Sequence, residues 1–464
     1  MRVLFASAEV APFSKTGGLG DVAGALPRAL ARLGLEVLVV TPWYRSVPTD
    51  PAPYWIGDVE VPFDGGFEPV GVGTLERDGV RYAFVGHPDL SRPRLYGYPD
   101  DARRFARFSR AVPQVAARVG FAPDLLHAND WHTGYLPLLL ARGWHLPPGF
   151  PHLPSVFTVH NAQHQGESEM AATLHWLRLG REAAHGYHDR FGAANALLAG
   201  VGAAERVTTV SPTYAQELQQ PEYGFGLDGA FRAVAGKLVG ILNGLDVNEW
   251  DPATDPHLAA RYSAGDLAGK AANKRALARE LGLDPERPLL GVVSRFAEQK
   301  GIDLLVAAAE RLLAAGWGLA LLGTGDPRLE AAVRALATER PGAVGAVVGF
   351  DEALAHRVYA GADALAVPSR FEPCGLSQMI AMRYGTLPVV RATGGLKDTV
   401  AHGRTGFVFE HATPEGLLWA AGEAARAYGT PAWREMQLAA MRQDLSWDAS
   451  ARRYAALYGS VLPS

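Results

Sequence analysis

The chain has 464 residues, 48% hydrophobic and 20% charged, with a formal net charge of −4. Its length exceeds one ordinary domain, and its charge balance gives no electrostatic reason to expect nucleic acid or an anionic membrane as partner. A single cysteine, Cys374, excludes an intrachain disulfide and fits a reducing compartment. The opening apolar run is broken by Glu9, and no run reaches the roughly 18–20 apolar residues of a membrane helix, so a cytoplasmic location is expected.

Val3–Ala8 reads as a buried strand. The glycine-rich turn Thr16-Gly-Gly-Leu-Gly20 follows, then a helical pattern over Val22–Leu33 stopped at Gly34, then a strand at Val37–Val40. Strand, glycine turn, helix and strand open a doubly wound α/β sheet. Strands at Val80–Val85, Leu125–Ala128, Ser155–Val159 and Arg206–Val210 continue it, with helices at Arg104–Val119 and Thr133–Arg142 among them. The pattern restarts at the strand Leu289–Val293 and the helix Gly301–Ala315. Strands at Gly318–Leu322, Ala343–Val348, Ala364–Val367 and Leu387–Val390 alternate with helices at Asp326–Ala337, Ala353–Gly361 and Leu376–Tyr384. The two halves meet near Gly240–Pro256, and Trp447–Leu462 is a last amphipathic segment.

In open α/β sheets ligands bind beyond the carboxyl ends of the strands, so polar residues just after strands carry the functional signal. Six groups stand there. The first is Lys15-Thr-Gly17-Gly18-Leu-Gly-Asp21. Its paired glycines admit a phosphate to backbone N–H groups at a helix start, although a tight turn with a solvated lysine accounts for it about as well. The spacing Gly18-x-Gly20-x-x-x-Gly24 is one residue off a dinucleotide fingerprint, no acid ends the second strand and no P-loop frame occurs, which sets a nicotinamide enzyme aside. His127-Ala-Asn-Asp130-Trp-His132 and His160-Asn-Ala-Gln-His-Gln-Gly166 follow later strands. No His-x-x-x-His pair lies on one helix, and no Asp-x-Asp occurs to hold a metal on a pyrophosphate. A lone histidine is more often structural, yet successive polar strand ends point to a polar-substrate cleft.

In the second half, Ser294-Arg295-Phe-Ala-Glu-Gln-Lys300-Gly301 supplies a guanidinium and an ammonium that can clamp one diphosphate. Pro368-Ser-Arg-Phe-Glu372-Pro-Cys374-Gly375-Leu376 holds Glu372 in a turn, suited to accepting hydrogen bonds from sugar hydroxyls. Arg391-Ala-Thr393-Gly394-Gly395-Leu-Lys397-Asp398 opens another helix start to an anion. The only lysines are Lys15, Lys237, Lys270, Lys274, Lys300 and Lys397, and three of them fall in these turns. Spacing alone implies an enzyme that binds a nucleotide or phosphorylated sugar between two α/β domains.

Taken together, the strings resemble the glycogen/starch synthase family, glycosyltransferase family 5. Ala8-Glu-Val-Ala-Pro-Phe-Ser-Lys-Thr-Gly-Gly-Leu-Gly-Asp21 is similar to its N-terminal signature. Leu95–Phe105, His127–His132, Thr208–Ala215, Gly240–Asp246, Trp250–Asp255, Ser294–Gly301, Pro368–Gln378 and Thr393–Val400 match as well, nearly end to end. The resemblance implies the GT-B fold: a Rossmann-like acceptor domain over 1–240, a Rossmann-like donor domain over 241–445, and a helix over 446–464 returning to the first domain. It implies retaining, metal-independent transfer of glucose from ADP-glucose to the non-reducing 4-OH of an α-1,4-glucan, with no cofactor. Carried over by position, Arg295 and Lys300 stabilise the departing diphosphate. Lys15, Gly17, Gly18, Thr393, Gly394 and Gly395 complete the phosphate cradle, and Glu372, with Cys374, Gly375 and Leu376 in its turn, holds the donor glucose. His160 lies beside the reacting carbon, Asp21 and Asp130 near the sugar cleft, Asn243 against the donor sugar, and Tyr96 is a sugar-stacking platform.

Two departures stand out. The family's aromatic in the His-Asn-x-x-x-Gln-Gly turn is His164 here, and the second Glu that related retaining transferases carry eight residues after the first is Ile380. The segment Glu169–Ala194 is poor in familiar strings. The rival readings are a retaining transferase with a small acceptor, a glucan phosphorylase needing a pyridoxal lysine, and a non-catalytic glucan-binding protein. Intact Arg295, Lys300 and Glu372 weigh against the last.

Overall fold

The computed structural model describes residues 1–48, 50, 52–184 and 192–462. The chain divides into two compact units, Met1–Gly244 with Trp447–Ser464, and Leu245–Ser446. Residues 185–191 of the string-poor segment and 463–464 of the last segment lie outside the described residues.

The first unit contains β1 (Arg2–Ala6), β2 (Glu36–Pro42), β3 (Tyr54–Phe63), β4 (Gly66–Arg77), β5 (Val80–Gly86), β6 (Leu125–Asn129), β7 (Ser155–Val159), β8 (Glu167–Ser168), β9 (Ala194–Asn195), β10 (Arg206–Thr209) and β11 (Leu238–Gly240). Among the described residues, nine strands form one sheet in the order β11-β10-β7-β6-β1-β2-β5-β4-β3. The run from β11 to β5 is parallel, and β1, β2, β6 and β7 within it are largely apolar and buried on both faces, as a parallel sheet covered by helices requires. The edge differs. β3 and β4 form a long antiparallel hairpin turned at Asp64 and Gly65, both at positive φ, and much of β3 is exposed. The sequence reading passes over this hairpin because its strands carry no continuous apolar run.

β1 stops at Ala6, two residues short of its expected end, because the Ser7 hydroxyl turns back to donate to the Glu9 carbonyl at 2.7 Å. The helix Gly18–Arg32 begins earlier than its apolar pattern. Its buried face packs with Val3, Phe5, Val39 and Phe84 in a core that also contains Trp447, Ala451, Tyr454 and Tyr458 of the last helix, Trp447–Gly459.

The second unit contains β12 (Leu289–Val293), β13 (Gly318–Gly323), β14 (Val344–Val348), β15 (Ala364–Val367), β16 (Leu387–Arg391) and β17 (Phe407–Phe409), a parallel sheet in the order β14-β13-β12-β15-β16-β17. The helices Ala268–Leu281, Pro414–Ala427 and Pro431–Met441 add to those expected. Buried Lys270 on the first of them donates to the Ala360 and Tyr384 carbonyls and the Thr386 hydroxyl, and burial lowers its pKa to about 7. Among the described residues no helix is long and apolar enough to cross a membrane.

Each sheet has one switch point. β1 lies between β2 and β6, and β12 lies between β13 and β15, so the chain builds the sheet on both sides of these strands; in the first sheet it reaches the far edge at β3 and returns through β4 to β5, beside β2. The crevices beyond the carboxyl ends of β1 and β6, and of β12 and β15, are where ligands bind in such sheets.

Candidate functional site

In the second unit the switch point joins two turns. After β12, Ser294 and Arg295 lead to the short turn Glu298–Lys300; after β15, Pro368–Leu376 leads to the helix Ser377–Arg383. Lys300 Nζ meets Glu372 Oε2 at 2.5 Å, and the Ser369 hydroxyl donates to the same oxygen at 3.0 Å. Glu372 is almost fully buried and Lys300 is one-fifth exposed, so the pair is partly dehydrated with one side reachable. Ser294, Lys300, Pro368, Glu372, Gly375 and Ser377 line a cavity of about 50 Å³ there. Arg295 lies exposed at its edge in sequence, donating to Gln299 Oε1 at 3.4 Å.

Thr393, Gly394 and Gly395 stand behind Glu372. A Cβ on Gly394, whose φ is +42°, would lie 2.0 Å from the Glu372 carbonyl oxygen, and one on Gly395 would lie 2.1 Å from the Cys374 carbonyl oxygen. Glycine is therefore needed here to stack two turns, a packing reason beside the anion-binding one. Thr393 is fully buried, and Gly395 N–H donates to the Glu372 carbonyl at 3.2 Å. Cys374 is buried; Gly375 has φ +75°; Leu376 caps the next helix. Lys397 is exposed on the helix Gly394–Thr399, so its place in the motif does not aim it at this cavity.

In the first unit the turn after β1 is organised by Glu9. This buried carboxylate accepts the Thr16 N–H at 2.6 Å, the Thr16 hydroxyl at 2.7 Å and the Gly17 N–H at 3.2 Å. Gly17 and Gly18 then open the helix Gly18–Arg32, whose start no side chain caps, and a Cβ on either would meet nothing within 4 Å. Lys15 pairs with Asp21 at 2.6 Å; burial raises the Asp21 pKa, and the lysine bond opposes that rise.

Beyond β6 and β7 lies a compact polar set. Asn129 Nδ2 donates to the Ala6 carbonyl at 3.1 Å, which leaves Asn129 Oδ1 to accept from His160 Nε2 at 2.9 Å. His160 therefore carries its proton on Nε2 and presents Nδ1 as an acceptor. Its backbone N–H donates to Asp130 Oδ1 at 2.8 Å. Burial holds the imidazole neutral, with a pKa near 3, and pushes Asp130 up to about 7. Asp130 sits at φ +56° and ψ 177°, a conformation close to glycine-only, which costs about 1–3 kcal/mol.

The other assigned residues scatter. Tyr96 is half-buried and stacks on His132 with ring centroids 4.8 Å apart, so one of its faces is already covered. His132 also packs against Phe105 and Trp131. Asn243 Oδ1 is buried with no hydrogen-bond partner. A separate cavity of about 490 Å³ is lined by Trp131, Gln163, His164, Gln165, Gly166, Glu167 and Phe225. Among the described residues no three His, Cys, Asp or Glu converge as a metal-holding group.

Sequence reasoning passed over Glu9, Asn129, Ser369 and Phe350. The signal for Glu9 was within reach, since a carboxylate in the buried run Ala6–Val10 must find donors. Phe350, 89% exposed just beyond β14, carries no motif at all.

Residues 2–233 match the family model described as the starch synthase catalytic domain, and residues 273–424 match glycosyl transferases group 1. A glycogen synthase of Anaeromyxobacter sp. is 49% identical over 99% of both chains. One from Deinococcus deserti is 49% identical over 100% of both, and one from Thermus thermophilus is 44% identical over 100% of both. Among solved structures, the catalytic domain of starch synthase IV from Arabidopsis thaliana, bound to ADP and acarbose, is similar with a TM-score of 0.90 and 35% identity, covering 99% of each chain. A sucrose-phosphate synthase from Thermosynechococcus elongatus, at 21% identity and a TM-score of 0.62, shares the fold. The fold is GT-B, and the chain belongs to the glycogen/starch synthase family of glycosyltransferases.

Proposed function

We propose that this chain transfers glucose from ADP-glucose to the non-reducing 4-OH of an α-1,4-glucan, with retention, in the cytoplasm and without a metal or resident cofactor. The observation that carries this reading is the Lys300–Glu372 pair at the switch point of the second sheet. A carboxylate that binds sugar hydroxyls and an ammonium that binds the leaving diphosphate stand side by side where a nucleotide sugar must enter. Arg295 adds a guanidinium for the same diphosphate, so positive charge faces the negative charge that grows as the C1–O bond breaks. Phe350 offers an exposed aromatic face on which the base can stack.

In the first unit, the uncapped helix start at Gly17 and Gly18, with Lys15, suits an anionic phosphate group. Neutral His160 suits accepting a hydrogen bond from a sugar hydroxyl through Nδ1. The cavity beside Trp131, His164 and Phe225 suits the glucan, whose rings stack on aromatic faces. The transfer is a front-face substitution. The acceptor O4 bonds to C1 as the C1–O bond to the diphosphate breaks, and the O4 proton passes to the leaving phosphate oxygen, releasing ADP.

A paired assay with ADP-glucose and UDP-glucose on a glycogen primer, run with and without EDTA, tests this. Faster transfer from ADP-glucose, unchanged by EDTA and yielding α-1,4 linkages, is the expected result. Activity abolished by EDTA and restored by a divalent ion, or transfer only to small sugars, would overturn it.

A further inference from the structure

Three short hydrogen bonds run beneath the histidine site of the first unit. The Tyr458 hydroxyl lies 2.6 Å from His127 Nδ1, His127 Nε2 lies 2.6 Å from the Thr158 hydroxyl, and that hydroxyl lies 2.6 Å from the Thr208 hydroxyl. All four side chains are fully buried. The chain starts on the last helix and crosses β6, β7 and β10. Burial keeps the His127 imidazole neutral, with a pKa near 3, so one ring nitrogen donates and the other accepts. The protons of the chain therefore align in one direction or the other as a unit, and losing one member disturbs its neighbours.

Its place in the sheet gives it consequence. Side chains two residues apart on a strand share a face. His127 and Thr158 precede Asn129 and His160 by two residues, so two side-chain rungs join β6 to β7. The lower is His127–Thr158; the upper is Asn129–His160 at 2.9 Å, which sets the His160 tautomer. Asp130, next to Asn129, takes the His160 N–H. A shift of either strand end at the lower rung reaches the upper one within two residues. An apolar pair would fill this space without fixing any direction.

We infer that Tyr458, acting through His127 and Thr158, is a positioning residue for His160, so that the last helix takes part in the glucosyl-transfer site. The inference rests on the function proposed above. Its test uses the full chain with Tyr458→Phe, Thr158→Val and the double variant. In each single variant kcat for transfer to glycogen falls about tenfold, the scale of a sub-ångström misplacement at a reacting centre. The KM for ADP-glucose stays within about twofold, and the double variant is no slower than the worse single one, because both break one chain. Wild-type kcat in both single variants, or losses that multiply in the double, would overturn the inference. Thr158→Val approaches from the opposite end if Tyr458→Phe fails to fold. Histidine ¹⁵N NMR separates this claim from the functional reading: the His160 Nε2–H resonance shifts in both variants whatever the substrate. An unmoved resonance overturns the positioning role, whereas a wild-type enzyme that transfers no glucose overturns only the function.

Discussion

The string Thr-Gly-Gly-Leu occurs once in each unit, at Thr16–Leu19 and at Thr393–Leu396, and glycine serves a different end in each. In the first unit a side chain on Gly17 or Gly18 would meet open space, while Glu9 holds the turn from behind. In the second, a side chain on Gly394 or Gly395 would drive into the carbonyls of Glu372 and Cys374. One turn is bare toward open space; the other is bare toward its own fold. Identical strings can thus be free of packing demands in one half of a molecule and bound by them in the other.

The largest effects should come from the two cationic side chains of the turn after β12, Lys300 against Glu372 and Arg295 exposed in the same turn. Lys300→Ala and Arg295→Ala should each lower kcat by on the order of 10²–10³, the scale of losing one preorganised charge-stabilising donor. Glycogen affinity should change little, and near-normal turnover in both variants would remove the assigned role. Next come the packed glycines. Gly395→Ala forces a backbone clash and should lower stability by about 3 kcal/mol, read as an earlier urea midpoint. A midpoint equal to that of the wild type would show that the two turns can separate freely.

The open glycines should behave in the opposite way. Gly18→Ala should leave the urea midpoint nearly unchanged and raise the KM for ADP-glucose roughly tenfold, the scale of one hydrogen bond to a charged group. A destabilised variant with normal KM would erase the contrast between the two turns.

The smallest effect concerns pH. His127 and His160, lowered by burial to about 3, contribute stability that is present above pH 6.5 and lost as pH falls toward 3, because the unfolded chain takes protons the native one refuses. Asp130, raised to about 7, works in the opposite sense: its contribution is present below 3.8 and lost as pH rises through 7, so it offsets one of the two histidines between 3.8 and 6.5. In the second unit, Lys270, lowered to about 7, makes stability rise with pH from about 7 to 10.5. Acidification from pH 8 to pH 5 should therefore lower the urea midpoint, and His127→Gln should flatten that dependence. An acid limb equally steep in the variant would place its origin elsewhere.

Much of this was legible in the chain because parallel strands buried on both faces are short apolar runs, and because the residues after them must be polar to serve a ligand. Lys300, Glu372, Asp130 and His160 all stand at such positions. What escaped has physical reasons. The β3–β4 hairpin is half solvated, so its pattern is diluted. Glu9 acts through the backbone of a turn seven residues away, which no spacing rule encodes. His127 and His160 look alike in sequence, yet one hydrogen-bonds into the last helix and the other reaches Asn129, a choice made by which neighbours tertiary packing brings. The packing of His132 on one face of Tyr96 is likewise set by tertiary neighbours that no spacing encodes.

The core of the first unit includes Trp447, Ala451, Tyr454 and Tyr458, which are translated after every residue of the second unit. At synthesis rates of about 5–20 residues per second, the N-terminal sheet waits tens of seconds with that face uncovered. The second unit, continuous from Leu245 to Ser446, has its whole sequence available first. The nascent chain therefore completes its later half before its earlier one, and the apolar groove awaiting the last helix is the surface that a chaperone on the ribosome would have to shield.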